Sequence, residues 1–344
     1  MPIKPQAAIR ATEYYLPTTV LTTSDLADKF PEWSVEKIDK KTGIAERHIA
    51  ASDECSSDLA FAAAQKLFAS GVVAPTGIDC LLFCTQSPDY FLPATACLLQ
   101  DRLGIPTSSF ALDFNQGCSG FIYGLGIAKG LIETGQVRRV LLLTAETYSK
   151  FIHPRDRSVR TIFGDAAAAT LIEAVDCTEA TPLIGPFVWG TDGSGAKNLI
   201  VPSGGMRCPR STETAQEIED SGGNSRSKDN LFMDGAEIFE FTLRSVPKAF
   251  QDLLALAGKS PEEIDLFIFH QANRYMLNSL RMATEIPENK FYVAMRHCGN
   301  TVSSTIPIAM KHACMEGRLA PGNLVMLVGF GVGYSWGAVL VRWI

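Results

Sequence analysis

The sequence feature that most constrains the fold is an internal repeat, because segments of the first half recur in order in the second half. A helix-like stretch over 60–70 precedes the apolar run 78–83, and a second one over 246–257 precedes the apolar run 264–269. These two runs are offset by 186 residues (264 minus 78), and the later apolar runs 140–144 and 324–329 are offset by 184 (324 minus 140). Two matches at nearly one offset indicate that the chain is duplicated.

The order of elements within each repeat predicts the fold class. Each half alternates strands and helices, with glycine-containing turns before the helix-like segments 117–134 and 303–316. This alternation is typical of an α/β fold with mostly parallel strands and helices on both faces. We therefore expect two duplicated β-α-β-α halves, 1–176 and 177–344. The second is interrupted at about 203–229 by a Gly-, Ser- and charge-rich stretch, predicted to be a solvated insertion or lid near that half's entrance.

Composition excludes several classes of protein. Lysine and arginine number 31 against 37 aspartate and glutamate, so the basic excess of a nucleic-acid binder is missing. The longest apolar runs are far too short for a membrane span, and residues 1–6 lack the pattern of a secretory signal, so we expect a cytoplasmic protein. The nine cysteines are an odd number in a long chain, so we expect reduced thiols, Cys177 among them.

The sequence predicts neither a metal nor a nucleotide cofactor. Cys80 and Cys84 lie four apart in a strand-like run, with no second Cys/His pair that would complete a tetrahedral zinc site. The glycines of 329–337 do not follow the G-x-G-x-x-G spacing, and too few residues follow them for a dinucleotide-binding unit.

Cys118 is the candidate nucleophile. An alternating run over 109–114 leads into Asn115-Gln-Gly-Cys-Ser-Gly-Phe121, and a helix-like stretch follows, so Cys118 is placed at a strand-to-helix elbow. The free amides and the positive dipole end of that helix favour the thiolate, and Gly117 and Gly120 allow close approach of a substrate. The other eight cysteines are interpreted as structural.

His270 and Asn300 are the candidate partners of Cys118. His270 follows the apolar run 266–269, at the strand end where open α/β sheets form ligand crevices. Asn300 lies in a turn that the repeat aligns with the elbow of Cys118, so packing of the halves about a pseudo-twofold axis would bring the three side chains to one pocket. The glycine turn 329–333 can direct a backbone N–H there, and the amides of Cys118 and Val332 are the candidate oxyanion donors.

Four ordered motifs resemble those of the β-ketoacyl-acyl carrier protein synthase III family, which has the thiolase fold. They are Asn115-Gln-Gly-Cys-Ser-Gly-Phe121, Phe269-His-Gln-Ala-Asn273, His297-Cys-Gly-Asn-Thr301 and Gly329-Phe-Gly-Val-Gly-Tyr-Ser-Trp-Gly337, and the likeness extends to 41–50 and 163–168. The resemblance implies a layered α-β-α-β-α core and a homodimer without a cofactor. It also implies that Cys118 takes an acyl group, usually from acyl-CoA, and that His270 and Asn300 support decarboxylative condensation with malonyl-acyl carrier protein.

The resemblance also implies substrate-binding positions, some of which depart from the family pattern. Lys37 stands where the family has a tryptophan that stacks on the CoA adenine, and Trp33 lies four residues earlier. Arg157 matches the family's other adenine-contacting residue, and Lys41 is placed to pair with a phosphate. Asn273, the last residue of the histidine motif, is also assigned to substrate binding. Leu92 replaces a bulky aromatic residue that limits the primer pocket across the dimer interface, which implies a primer longer than acetyl.

The surface that the resemblance assigns to docking of the carrier protein has fewer basic residues than is usual in the family. Arg274 and Arg281 remain, but Tyr275 stands where an arginine is common. The extender is therefore left open between malonyl-acyl carrier protein and malonyl-CoA, and the pathway between fatty-acid initiation and a specialised route.

Three other functions compete with condensation. A cysteine hydrolase also uses Cys, His and Asn in this order, but the duplication and the neighbours of Cys118 do not fit that class. Acyl transfer to an alcohol or amine keeps the fold but gives Asn300 no enolate to stabilise. A non-catalytic protein of thiolase fold would leave Cys118 unreactive.

Overall fold

The computed structural model describes residues 5–176 and 182–344 of the chain. Cys177, and the part of the amino-terminal segment before Pro5, lie outside the described residues, so the predictions made for them are not addressed by the structure. Within the two described ranges, no helix has the length and apolar character needed to cross a bilayer.

Over its described residues, 5–176, the first half contains seven strands and six α-helices. In chain order they are β1 (Pro5–Tyr15), β2 (Thr19–Thr22), α1 (Thr23–Lys29), α2 (Val35–Thr42), β3 (Glu46–Ile49), α3 (Ser56–Ala69), β4 (Cys80–Cys84), α4 (Thr95–Arg102), β5 (Phe110–Phe114), α5 (Gly120–Glu133), β6 (Arg139–Glu146), α6 (Arg157–Arg160) and β7 (Ala166–Asp176).

The second half repeats the main elements of the first and adds short strands. In chain order they are β8 (Ile184–Thr191), β9 (Leu199–Ile200), β10 (Ile218–Glu219), β11 (Ser225–Arg226), β12 (Phe232–Met233), α7 (Gly235–Ala257), β13 (Leu266–Phe269), α8 (Arg274–Ala283), β14 (Phe291–Tyr292), α9 (Thr305–Met315), β15 (Leu324–Gly331) and β16 (Ser335–Arg342).

The two large sheets have the same topology, as the internal repeat predicts. Their strand orders are β1-β7-β6-β4-β5 and β8-β16-β15-β13-β14. In each sheet four of the five strands run in the same direction, and the remaining strand, β7 in the first sheet and β16 in the second, runs antiparallel to both of its neighbours. The prediction of mostly parallel strands is therefore confirmed for all strands except β7 and β16, which make the sheets mixed. The physical reason is visible in the second half, where β15 turns directly into β16 without a crossover helix.

The sheets and helices form five layers, as the predicted α-β-α-β-α core requires. Helices α5 and α9 lie between the sheets, because each contacts strands of both. Helix α3 covers the outer face of the first sheet and α7 covers that of the second. All five residues of β4 and all eight of β15 are buried, which explains why these strands read as continuous apolar runs.

The predicted insertion is mostly exposed and contains the hairpin of β10 and β11. It packs on residues 153–157 of the first half. Arg226 bridges Asp156 at 2.8 Å and Asp220 at 2.7 Å, and His153 lies 3.1 Å from Glu217. Ion pairs with a segment that is distant in the sequence fix the position of the insertion. No local sequence pattern indicates such pairs.

Candidate active site

The three predicted catalytic side chains line one cavity of about 460 Å³. Cys118 lies between β5 and α5, His270 directly follows β13, and Asn300 lies in the turn before α9. The motifs are far apart in the sequence, and the pseudo-twofold relation of the halves brings them together.

Asn300 is oriented by the turn that follows it. Its Oδ1 accepts a hydrogen bond from the backbone N–H of Val302 at 2.9 Å, which leaves Nδ2 facing the imidazole of His270, 3.4 Å from Nε2. Val302 has a φ of 54°, a left-handed conformation that a β-branched residue rarely adopts and that costs about 1–3 kcal/mol. The Asn300 side chain helps to hold this strained turn.

His270 is a buried, neutral imidazole. Burial lowers its pKa to about 3, so the ring is uncharged at physiological pH. Its Nδ1 lies 2.7 Å from Thr305 Oγ1, which lies 3.0 Å from the carbonyl oxygen of Val302. The hydroxyl has one proton. If the Thr305 hydroxyl donates to the Val302 carbonyl oxygen, it can only accept from His270, so the imidazole proton sits on Nδ1. If the hydroxyl donates to Nδ1 instead, the imidazole proton sits on Nε2 and faces the cavity.

The surroundings of Cys118 favour the thiol over the thiolate, which corrects the expectation from the helix end. Burial, followed by the negative charge of Glu146, raises the pKa of the thiol to about 12. The backbone N–H groups of Val332 and Cys118 lower the pKa of the thiol, but burial outweighs them. These are the two amides predicted as oxyanion donors, and both act on the pKa of the sulfur.

Gly331, at the end of β15, allows that strand to approach the nucleophile. A Cβ at this position would lie 2.9 Å from both Cβ and Sγ of Cys118. A side chain there would displace the thiol, so only glycine permits this contact.

Two of the predicted substrate-binding residues line the cavity, and two lie near its mouth. Lys41 and Asn273 are lining residues, and Asn273 also caps α8 by accepting a hydrogen bond from the Met276 N–H. Lys37 and Arg157 surround the Trp33 ring, with Lys37 Nζ at 5.2 Å and the Arg157 guanidinium carbon at 5.5 Å from its centroid.

Leu92 and the predicted docking arginines lie outside the cavity. Leu92 is 82% exposed, so the site of its own chain does not include it. Arg274 pairs with Asp39 at 3.2 Å, and Arg281 donates to the carbonyl oxygen of Ile286 at 3.3 Å.

The cavity has an apolar inner wall, and its solvent-exposed lining residues include Lys41 and Tyr275. The inner wall is formed by aliphatic and aromatic side chains: Ile162, Phe163, Leu199, Met233, Ile238 and Phe330. At the entrance, Tyr275 stacks on Phe239 with ring centroids 5.3 Å apart. Such a cavity accepts an apolar chain inside and a polar carrier arm outside.

Sequence reasoning did not identify Thr305 or Glu146 as residues of the site. Thr305 holds the imidazole of His270, and Glu146 is a buried carboxyl group whose charge acts on Cys118. In the sequence, Glu146 is a polar residue at the end of an apolar run and Thr305 is one before such a run, and both signals are too common to indicate a role.

The layered, duplicated fold and the Cys, His and Asn side chains in one cavity define a condensing enzyme of the thiolase class. Comparisons with known proteins identify the family. The family model described as 3-oxoacyl-(acyl-carrier-protein) synthase III matches residues 112–193, and the one for its C-terminal part matches residues 254–343. The chain belongs to the β-ketoacyl-acyl carrier protein synthase III family, and it is an acyltransferase.

Individual relatives match over nearly the whole chain. The β-ketoacyl-acyl carrier protein synthase III of Caldanaerobacter subterraneus subsp. tengcongensis is 36% identical over 98% of both chains. A crystal structure of a 3-oxoacyl-(acyl-carrier-protein) synthase III is 55% identical, with a TM-score of 0.97 over 98% of this chain and 100% of that one. A 3-oxoacyl-(acyl-carrier protein) synthase from Burkholderia xenovorans LB400 is 36% identical with a TM-score of 0.88, over 99% and 95%. These matches favour condensation over hydrolysis.

Proposed function

We propose that Cys118 accepts an acyl group from acyl-CoA and passes it to a carbanion formed by decarboxylation of a malonyl thioester. The observation that carries this proposal is the meeting of Cys118, His270 and Asn300 in one cavity. The products are CoA, CO₂ and a 3-oxoacyl thioester that is two carbons longer than the primer.

The first half-reaction transfers the primer to sulfur. The Cys118 sulfur attacks the thioester carbonyl, the CoA thiolate leaves, and the thiol proton is transferred to the departing CoA sulfur. The amides of Val332 and Cys118 stabilise the negative oxygen of the tetrahedral intermediate, because both already favour negative charge at the reacting sulfur. The apolar inner wall holds the acyl chain.

The second half-reaction forms the carbon–carbon bond. Loss of CO₂ from the malonyl group leaves an enolate, whose oxygen accepts hydrogen bonds from Asn300 Nδ2–H and His270 Nε2–H. This step uses the state in which Thr305 donates to Nδ1, so that the imidazole proton faces the cavity. The enolate carbon attacks the acyl-cysteine carbonyl, and the Cys118 thiolate leaves and takes up one proton from water to return to the thiol. Neutral donors suffice here, and the lowered pKa of His270 keeps the imidazole neutral.

The charges at the entrance support a phosphorylated donor such as acyl-CoA. Lys37, Lys41 and Arg157 all lie within 5.5 Å of the Trp33 centroid, so three cations surround one indole at the mouth. Arg157 also pairs with Glu32 and donates to the carbonyl oxygen of Gly222 in the insertion. Arg274 and Arg281, on the adjoining helix α8, remain the candidate docking residues for acyl carrier protein, and we place the reaction in the cytoplasm, where Cys118 stays reduced.

An apolar face of the first half supports a homodimer. β5 is the edge strand of its sheet and exposes Phe110 and Leu112 at alternate positions. On the same side, Trp189 on β8 is exposed and contacts Tyr123 of α5, with ring centroids 4.8 Å apart. An uncovered edge strand beside exposed aromatic rings is typical of a subunit interface. Sedimentation equilibrium should give twice the mass of one chain, and the mass of a single chain would exclude the dimer.

The primer range is predicted to extend beyond acetyl. In a dimer across β5, the exposed Leu92 belongs to the loop that reaches the partner's cavity, and leucine leaves more room than an aromatic ring. We expect butyryl- to octanoyl-CoA to add an acyl group to Cys118 at least as well as acetyl-CoA, as measured by intact-protein mass spectrometry. Leu92→Phe should reduce medium-chain adducts by about tenfold or more and spare acetyl.

Phe91→Leu is the matched control for the Leu92 prediction, because Phe91 is an exposed neighbour in the same loop. It should leave the primer range unchanged. Labelling of the wild-type protein by acetyl-CoA alone would refute the inference from Leu92.

Product analysis tests the proposed function as a whole. The protein, incubated with acyl-CoA and malonyl-acyl carrier protein or malonyl-CoA, should release a 3-oxoacyl thioester. Release of the free acid would indicate a hydrolase, and an ester or amide formed with an added acceptor would indicate simple acyl transfer.

A further inference from the structure

Glu146 is a carboxyl group without solvent exposure that joins the two halves of the site. At the end of β6, its oxygens accept hydrogen bonds from the Gln86 backbone N–H at 3.2 and 3.0 Å and from the Ser87 hydroxyl at 3.3 Å. The Ser303 hydroxyl donates to it at 3.2 Å. Gln86 and Ser87 follow β4 in the first half, whereas Ser303 lies in the turn after Asn300 in the second.

The two loops that Glu146 holds contact the reacting groups. A Cβ on Gly117, the residue before Cys118, would lie 2.5 Å from Gln86 Oε1, so the Gln86 side chain packs directly against the nucleophile's elbow. Ser303 directly follows Val302, whose N–H orients the amide of Asn300. A change at Glu146 is therefore transmitted to both half-reactions.

The surroundings of Glu146 offer hydroxyl and amide groups but no balancing charge. Among the described residues, no Lys, Arg or His lies within ion-pair distance of Glu146. The titratable groups that face it are all acids: Cys84 on β4, Cys118 before α5, Tyr148 after β6 and Asp165 before β7. An unpaired buried carboxylate is costly, and burial raises the pKa of Glu146 to about 8.

We propose that Glu146 is a positioning residue for Cys118 and Asn300, which bridges their loops as a neutral carboxyl group and, when ionised, suppresses formation of the Cys118 thiolate. The inference rests on the proposed role of Cys118. It makes Glu146 a pH-sensitive group that acts on the reaction through its neighbours and not by contact with the substrate.

The pH dependence of Cys118 alkylation follows from this arrangement. A thiol whose pKa lies far above the working pH gains thiolate tenfold per pH unit. Between pH 7 and 9 Glu146 loses its proton, its charge raises the pKa of Cys118, and the gain in thiolate is partly cancelled. In Glu146→Gln this cancellation is removed. The ratio of the variant rate to the wild-type rate should therefore rise from about one at pH 6 to at least about threefold at pH 9.5.

The test is iodoacetamide alkylation of the full-length protein, with Cys118 quantified by peptide mass spectrometry from pH 6 to 9.5. The exposed Cys97 serves as internal standard, because its rate should be the same in both proteins at each pH. A rate ratio that does not change with pH overturns the proposal. If the variant does not fold, the pH profile of the wild-type protein is decisive on its own. A Cys118 alkylation rate that rises tenfold per pH unit over the whole range from pH 6 to 9.5 would also overturn the proposal.

Glu146→Asp separates the charge from the reach of the side chain. Aspartate keeps the ionisable group, so the Cys118 alkylation rate should still rise less than tenfold per pH unit between pH 7 and 9. The aspartate side chain is too short to hydrogen bond to both loops. Condensation by pre-acylated protein should fall while Cys118 alkylation stays pH-sensitive; full condensation activity would contradict the bridging role. If Cys118 shows the expected alkylation profile but takes no acyl group from acyl-CoA, the proposed function fails and the inference about Glu146 stands.

Discussion

Cys118→Ala should form no acyl adduct with acyl-CoA and should lose condensation activity by about 10⁴-fold or more. The sulfur is the atom that would hold the primer, and no neighbouring group can replace it, because the nearby Cys84 thiol donates to the Gln116 carbonyl oxygen at 3.0 Å and is fully buried. Intact-protein mass spectrometry after incubation with acyl-CoA measures the adduct, and product analysis measures condensation.

Cys84→Ala is the matched control for this prediction. It removes a buried thiol close to Cys118 without touching the nucleophile, so the adduct should form with the same mass increment and yield as in the wild-type protein. An adduct in Cys118→Ala with wild-type yield would place the acyl group elsewhere and refute the assignment of Cys118.

Asn300→Ala should separate the two half-reactions. Acylation of Cys118 uses the amides of Cys118 and Val332, so the adduct should form, whereas the enolate loses one of its two donors. One lost donor of this kind typically costs about 10²–10³-fold in rate. The measurement is decay of the acyl adduct after addition of malonyl thioester: fast in the wild-type protein and slow in the variant.

His270→Ala should behave in the same way as Asn300→Ala, because the two side chains would serve one oxygen. The double variant should lose less than the product of the two single effects, since residues that act as a unit are not additive. Wild-type decay of the adduct in Asn300→Ala would remove its assigned role, and fully multiplicative losses would show that the two residues act separately.

The repeated fold was predictable because its signals are local. The buried run 266–269 is the strand β13 with the same bounds, and β13 begins 186 residues after β4 (266 minus 80), which is the offset that the sequence predicts. The start of α7 was not predictable from apolar pattern alone. The helix begins at Gly235, where Asp234 accepts hydrogen bonds from the Ala236 and Glu237 N–H groups, and it continues through Pro247.

The site was predictable as far as its side chains follow strands and turns of the repeat. Cys118, His270 and Asn300 are placed by elements that the sequence shows, and the structure brings them together. The ionisation of Cys118 was not predictable, because the local helix end favours the thiolate whereas burial, which depends on the whole fold, raises the pKa to about 12. Glu146 was missed for the same reason, since its partners come from β4 and from the turn after Asn300.

The most direct test of the account is the stoichiometry of carbon dioxide release by protein that carries the primer on Cys118. On addition of a malonyl thioester, each acyl-cysteine consumed should release one CO₂ and yield one 3-oxoacyl thioester, with no free primer acid. Loss of the adduct as free acid without CO₂ would contradict the account, because the sulfur would then pass its acyl group to water and not to carbon.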